Sequence, residues 1–215
     1  MRPDLTNIKN IVFDLGNVLL NLDFEASINL FRNLGLNQDV VSPQQAYSDP
    51  IFYELEKGNV TPEDFRNRVR EILKNPTATD QQIDDAWHAM ILDIPPARVK
   101  VLQGLKSKFN IYLFSNTNKI HIERLHIQFK LKYGFEFSSL FVKDYYSHEI
   151  HERKPELSSF EKVIQLSRII PKVTLFVDDL EKNILSAQKI GLNTLWMKEG
   201  AEMAEIFNPE FILKS

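Results

Sequence analysis

With 215 residues, 43% of them hydrophobic, and a net charge of −3, the chain can bury one core with room for an insertion, and it lacks the clustered Lys and Arg that a nucleic acid partner requires. No stretch approaches the roughly eighteen apolar residues of a membrane span, and residues 1–7 lack the apolar centre of an export signal, so no membrane partner is expected and the chain reads as cytoplasmic. The absence of Cys excludes disulfides, thiolate metal sites and cysteine nucleophiles, which leaves oxygen or imidazole to hold any metal.

The first element is a strand over residues 8–13, Ile-Lys-Asn-Ile-Val-Phe, whose apolar end runs into the turn Asp14-Leu15-Gly16-Asn17. A helix follows over residues 24–34 and ends at Gly35. Three helix starts come next: Ser42-Pro43-Gln44-Gln45, Thr61-Pro62-Glu63-Asp64 and Thr79-Asp80-Gln81-Gln82. Each has a hydroxyl cap with an amide or acid three residues on, and two carry Pro at the first helical position. Between them Glu56-Lys57-Gly58-Asn59 reads as a turn, either a plain connector or a loop reaching down to the site. Trp87, Phe52 and Tyr53 read as core of this helical region.

A helix over 98–109 leads into a strand over 111–114 and the polar pair Ser115-Asn116. Lys154-Pro155 precedes a helix over 156–167, a strand over 173–177 ends at Asp178-Asp179, and a helix over 183–190 stops at Gly191 before a last strand over 194–197. Apolar strands alternating with helices give an α/β class, a doubly wound, Rossmann-like parallel sheet. About a hundred residues separate Phe13 from Ile111, where a whole βαβ unit needs about thirty. The surplus reads as a helical cap, residues 21–95, inserted after the first strand of a core made of residues 1–20 and 96–215.

In open α/β sheets ligands bind beyond the carboxyl ends of the strands, and all four polar clusters fall there. Asp14 is the candidate nucleophile, since a carboxylate can attack phosphorus and divide hydrolysis into two steps. Asp178 and Asp179 offer hard oxygen ligands which, with Asp14, suit Mg²⁺. Lys154 adds a fixed cation, and the Ser115 hydroxyl and Asn116 backbone N–H can hydrogen-bond phosphoryl oxygens.

Phe13-Asp14-Leu15-Gly16-Asn17-Val18, Phe114-Ser115-Asn116-Thr117-Asn118, Arg153-Lys154-Pro155-Glu156 and Phe176-Val177-Asp178-Asp179 resemble the four ordered motifs of the haloacid dehalogenase superfamily. The similarity extends to members with a helical cap after the first motif, in particular the α-D-glucose-1-phosphate phosphatase-like sugar phosphatases. The resemblance implies a Mg²⁺-dependent phosphatase acting on a small phosphorylated metabolite; separately, a monomer or weak dimer is expected. It implies Asp14 as nucleophile and metal ligand, the Gly16 carbonyl and Asp179 as ligands, and Asp178 beside them. Ser115, Asn116, Lys154 and Asn17 would meet the substrate, and Asn183 would orient ligands without touching the metal.

One position departs from the family pattern: Gly16 stands where most phosphatases of the superfamily carry an acid–base Asp. A sugar 1-phosphate leaves as a weakly basic hemiacetal oxygen, so a preference for such activated phosphates is expected. Two alternatives stand beside this one: a dehalogenase, whose carboxylate attacks carbon without metal, and a non-catalytic phosphate-binding protein. His148-Glu149-Ile150-His151 is too closely spaced for the helical zinc motif, and His88, His121 and His126 read as surface or packing residues.

Overall fold

In the computed structural model, which describes residues 5–207, β1 (Asn10–Phe13), β2 (Asn110–Ser115), β3 (Lys143–Tyr146), β4 (Thr174–Asp178) and β5 (Asn193–Trp196) form one parallel sheet. Their order is β3-β2-β1-β4-β5. The three central strands are buried almost throughout, as a sheet covered on both faces requires. The ends of the chain, residues 1–4 and 208–215, lie outside the described residues.

The helices, in chain order, are α1 (Phe24–Asn33), α2 (Pro43–Ala46), α3 (Pro50–Glu56), α4 (Pro62–Leu73), α5 (Asp80–His88), α6 (Pro96–Lys106), α7 (Lys119–Tyr133), α8 (Ser147–Ile150), α9 (Leu157–Ser167), α10 (Glu181–Lys189) and α11 (Met203–Ile206). None of the described helices is long and apolar enough to cross a membrane. Because strand side chains alternate between faces, Ile11, Phe13, Leu113 and Val177 pack with α6, α7 and α11 on one side. Val12, Phe114 and Phe176 pack with α9 and α10 on the other.

The helices between β1 and α6 gather around a separate cluster that includes Phe31, Phe52, Phe65, Val69, Ile83 and Trp87. Phe52 lies at its centre, its ring 5.1 Å from Trp87 and 5.4 Å from Phe65, contacts worth about 0.5–1.5 kcal/mol each beyond area burial. Thr61 and Thr79 both close capping boxes, whereas Ser42 caps only the single turn of α2. Chain entering and leaving this region runs side by side: the Asp23 N–H donates to the Met90 carbonyl at 2.9 Å, and the Leu92 N–H to the Asn21 carbonyl at 3.1 Å.

Several elements have no counterpart in the sequence expectation, among them α3, β3 and α7. β3 opens with Lys143-Asp144 and buries only Tyr145 and Tyr146, so as an edge strand it lacks the continuous apolar run that marks its neighbours. α7 buries Ile120, Leu125 and Phe129 but also exposes Ile127 and Leu131. Apolar residues on both sides blur the 3.6-residue period by which a helix is recognised.

Candidate active site

Strand register builds the floor of the site. Phe13 pairs with both Leu113 and Val177, so Asp14, Phe114 and Asp178 stand level at adjacent strand ends. The Asp14 N–H continues the ladder to the Val177 carbonyl at 2.9 Å. The chain then turns through Asn17, whose φ of 53° lies in the left-handed region that Asn tolerates better than most residues. Its side chain ties the turn together: Nδ2 donates to Asp179 Oδ2 at 3.1 Å, and Oδ1 accepts from the Leu22 N–H at 3.3 Å.

Lys154 is 1% exposed and donates to Asp14 Oδ1 at 2.6 Å and Asp178 Oδ2 at 2.7 Å. An ammonium has three N–H donors, so one remains for another acceptor. Its charge also lies 5.2 Å and 5.4 Å from the ring centres of Phe114 and Phe176, a favourable cation–π setting. Asn116 holds this lysine by its backbone, accepting from the Lys154 N–H at 2.9 Å and donating to the Lys154 carbonyl at 2.8 Å. The Asn116 side chain thus positions the cation, a role beyond the phosphate contact expected of its backbone. Ser115 is buried and lines the same cleft.

Asp178 is fully buried; Oδ1 accepts from the Leu180 N–H and from Asn183 Nδ2, each at 2.9 Å. Asp14, Asp178 and Asp179 each present an oxygen within 4.8 Å of the others. Burial pushes the Asp14 carboxyl up, Lys154 pulls it down, and the charges of Asp178 and Asp179 push it up again. Asp179 is likewise raised, by burial first and then by Asp178. For Lys154 burial disfavours the charge, but Asp14 and Asp178 outweigh it and the net direction is up.

With all three carboxylates ionised, one ammonium would leave two negative charges for a cation to offset. Asn183 Oδ1 is also buried without a hydrogen-bond partner, beside the carboxylate its own amide group contacts. Hard oxygen donors with a surplus of two negative charges and an orphaned acceptor suit a small divalent cation with bound water.

Above this floor opens a cleft of about 480 Å³, within the usual range for a small-molecule site. Phe24, Tyr47, Phe52 and Trp87 from the helical region form one wall, while Glu56, Arg153 and Lys182 supply charge. Arg153 pairs with Glu56 at 2.7 Å. Burial pushes the Glu56 carboxyl up, opposed by the charges of Arg153 and Lys182. Of the Glu56–Asn59 stretch only Glu56, the last residue of α3, lines the cleft, and Arg153 and Lys182 are cleft residues that sequence reasoning missed. Their only signal was proximity in the chain to Lys154 and Asp179.

The end of α3 and its C-cap residue Lys57 dock on the segment that carries Lys154. Tyr53 Oη donates to Glu156 Oε1 at 2.5 Å, Lys57 Nζ to Glu156 Oε2 at 3.2 Å, and His151 Nδ1 lies 2.9 Å from the Lys57 carbonyl. His148 Nδ1 faces the Thr117 carbonyl at 3.2 Å. His121 is buried, its ring stacked on Trp87 at 4.7 Å, with Nε2 3.2 Å from the Trp87 carbonyl. His126 Nε2 meets the Tyr146 hydroxyl at 2.9 Å.

Residues 8–191 match the haloacid dehalogenase-like hydrolase family. The chain is similar to D-ribitol-5-phosphate phosphatase of Bacteroides thetaiotaomicron, 29% identical over 195 residues that cover 91% of this chain and 94% of the relative. A haloacid dehalogenase-family enzyme of the same organism, crystallised as a magnesium complex, superposes with a TM-score of 0.87 at 37% identity, covering 94% of this chain and all of that one. A predicted hydrolase of the same kind from Porphyromonas gingivalis gives a TM-score of 0.84 at 30% identity, covering 98% of this chain and 100% of that one.

Proposed function

The chain belongs to the haloacid dehalogenase-like hydrolases, and from that premise we propose that it is a Mg²⁺-dependent phosphatase hydrolysing a small sugar or polyol phosphate through Asp14. The observation that carries this proposal is the meeting of Asp14, Lys154, Asp178 and Asp179 on the floor of one cleft. D-ribitol-5-phosphate phosphatase, similar over nearly its whole length, supports the substrate class.

In this mechanism an Asp14 oxygen attacks phosphorus and the bond to the leaving alcohol breaks, giving an aspartyl-phosphate. Water then attacks that phosphorus, releasing inorganic phosphate and regenerating the carboxylate. Lys154 holds Asp14 in place by its 2.6 Å contact and offers its third N–H to a phosphoryl oxygen. The Ser115 hydroxyl and the Asn116 backbone N–H bind the remaining phosphoryl oxygens.

Asp14, Asp179 and the Gly16 carbonyl would hold Mg²⁺, with Asp178 and Asn183 supporting them and Asn17 fixing Asp179. When bound, the ion neutralises charge on the phosphoryl group and on the attacking carboxylate. Residues 21–95 act as a cap over a core of residues 1–20 and 96–215, and their aromatic wall keeps water from the ester.

The preference for activated phosphates inferred from Gly16 is widened here. Ribitol 5-phosphate is an ester of a primary alcohol, so its place in the name of a relative supports ordinary sugar and polyol phosphates as well. The test is phosphate release from a panel of sugar, polyol and nucleotide phosphates, with Mg²⁺ and with EDTA. Metal-dependent release that disappears in Asp14→Asn is expected. Release that survives Asp14→Asn would exclude this nucleophile.

A further inference from the structure

We propose that Glu56 and Arg153 form the hydroxyl-binding end of the cleft and select phosphate esters of uncharged polyhydroxy compounds over those carrying a second acidic group. This rests on the phosphatase reading above.

Glu56 is the last residue of α3, in the inserted helical region, and Arg153 stands immediately before Lys154. Both line the cleft that holds Asp14, and they pair at 2.7 Å. The neighbouring ion pair is placed differently. Lys57 and Glu156 meet at 3.2 Å, yet neither is among the residues lining the cleft. Docking of α3 is thus served by Lys57 and Glu156 outside, while the adjacent residue, Glu56, faces the interior.

A hydroxyl group both donates and accepts. A carboxylate beside a guanidinium meets both needs, with charge-assisted bonds that are the stronger kind. An acidic substrate would meet the Glu56 charge directly and would have to compete with it for Arg153. The aromatic residues that line the same cleft, Phe24, Tyr47, Phe52 and Trp87, suit the C–H faces of a sugar or polyol. An aromatic wall with a few placed polar groups is the usual form of a small-ligand site.

The test compares wild type, Glu56→Gln and Lys57→Met on ribitol 5-phosphate, p-nitrophenyl phosphate and 3-phosphoglycerate, all with Mg²⁺. The ratio of kcat/KM for ribitol 5-phosphate to that for p-nitrophenyl phosphate should fall about tenfold in Glu56→Gln, mostly through KM, as expected for loss of one charge-assisted hydrogen bond. Relative activity on 3-phosphoglycerate should rise, whereas Lys57→Met, which loosens the seat of α3 and so raises KM for every ester alike, should keep the wild-type ratio between them. A ratio in Glu56→Gln that falls less than about threefold, or falls equally in Lys57→Met, overturns the proposal. Absence of metal-dependent release by wild type from every ester would instead strike the phosphatase reading itself.

Discussion

A carboxylate placed two residues after Asp14, by Gly16→Asp, should speed poor leaving groups more than good ones. A Cβ at residue 16 would lie 2.9 Å from Leu22 Cδ1 and 3.6 Å from its Cγ. The clash is with the end of a half-buried side chain, and the backbone of Gly16 is not in the left-handed region. Overpacking of this kind costs about 1–3 kcal/mol. A positioned acid–base group gains about 10² to 10⁴ in rate, or about 3–5 kcal/mol. The cost falls on folding stability and the gain on the reaction barrier, so the folded variant should run faster by about 10²-fold, the low end of that range, on glucose 6-phosphate, and by less on glucose 1-phosphate, whose leaving oxygen needs less help. Adding Leu22→Ala removes the close contact and should raise the rate further, at some cost in stability. The assay is steady-state phosphate release from the two esters at saturating Mg²⁺, with melting temperature as the control. Equal effects on both esters, or a loss on both in the natively stable double variant, would refute the reasoning and show that the proton comes from elsewhere.

Lys154→Met leaves Asp14 and Asp178 buried without their cation, so the metal-free protein should lose about 3–5 kcal/mol in urea denaturation, and Mg²⁺ should restore more of it than it adds to wild type. His121, held down to about 3 by burial and by the nearby charges of His88 and Arg124, stays neutral in the fold. Its folded value lies below the unfolded one of about 6.5, so its contribution is fully present above pH ~6.5 and is lost as pH falls, by about 1.4 kcal/mol per unit. The urea-midpoint advantage of wild type over His121→Gln should therefore shrink between pH 6.5 and 4.5, and a constant difference would count against this account. Gly58 has φ 68°, and a Cβ there would lie 2.1 Å from the His148 carbonyl oxygen. Gly58→Ala should therefore cost more than the ~1 kcal/mol of left-handed strain alone, lower the melting temperature and, by disturbing the seat of α3, raise KM.

Much of the fold was legible because its signals are local. The capping boxes of Thr61 and Thr79 need only four residues of sequence, and the three central strands are apolar because both faces of the sheet are covered. β3 and α7 were not legible. The first is an edge strand, and the second exposes apolar residues opposite its buried ones, so neither shows a clean period.

At the site, the order Asp14, Ser115-Asn116, Lys154, Asp178-Asp179 could be read directly, since each cluster follows or approaches a recognisable element. The uses of Asn17, Asn116 and Arg153 could not, because their partners are Asp179, Lys154 and Glu56. All three lie far along the chain, on another element, and sequence adjacency says nothing about them.

By itself the sequence determined which chemical groups the protein carries and, through apolar alternation, that strand ends would present them together. Only the tertiary structure decided that one ammonium bridges Asp14 and Asp178, that an asparagine side chain grips the backbone of that lysine, and that Glu56 faces into the cleft while Lys57 faces out. Caps and strand patterns depend on neighbours a few residues away, whereas these contacts depend on sheet register and on how the inserted helices seat against the core. That seating is set by packing summed over many distant residues, which no short stretch of sequence displays.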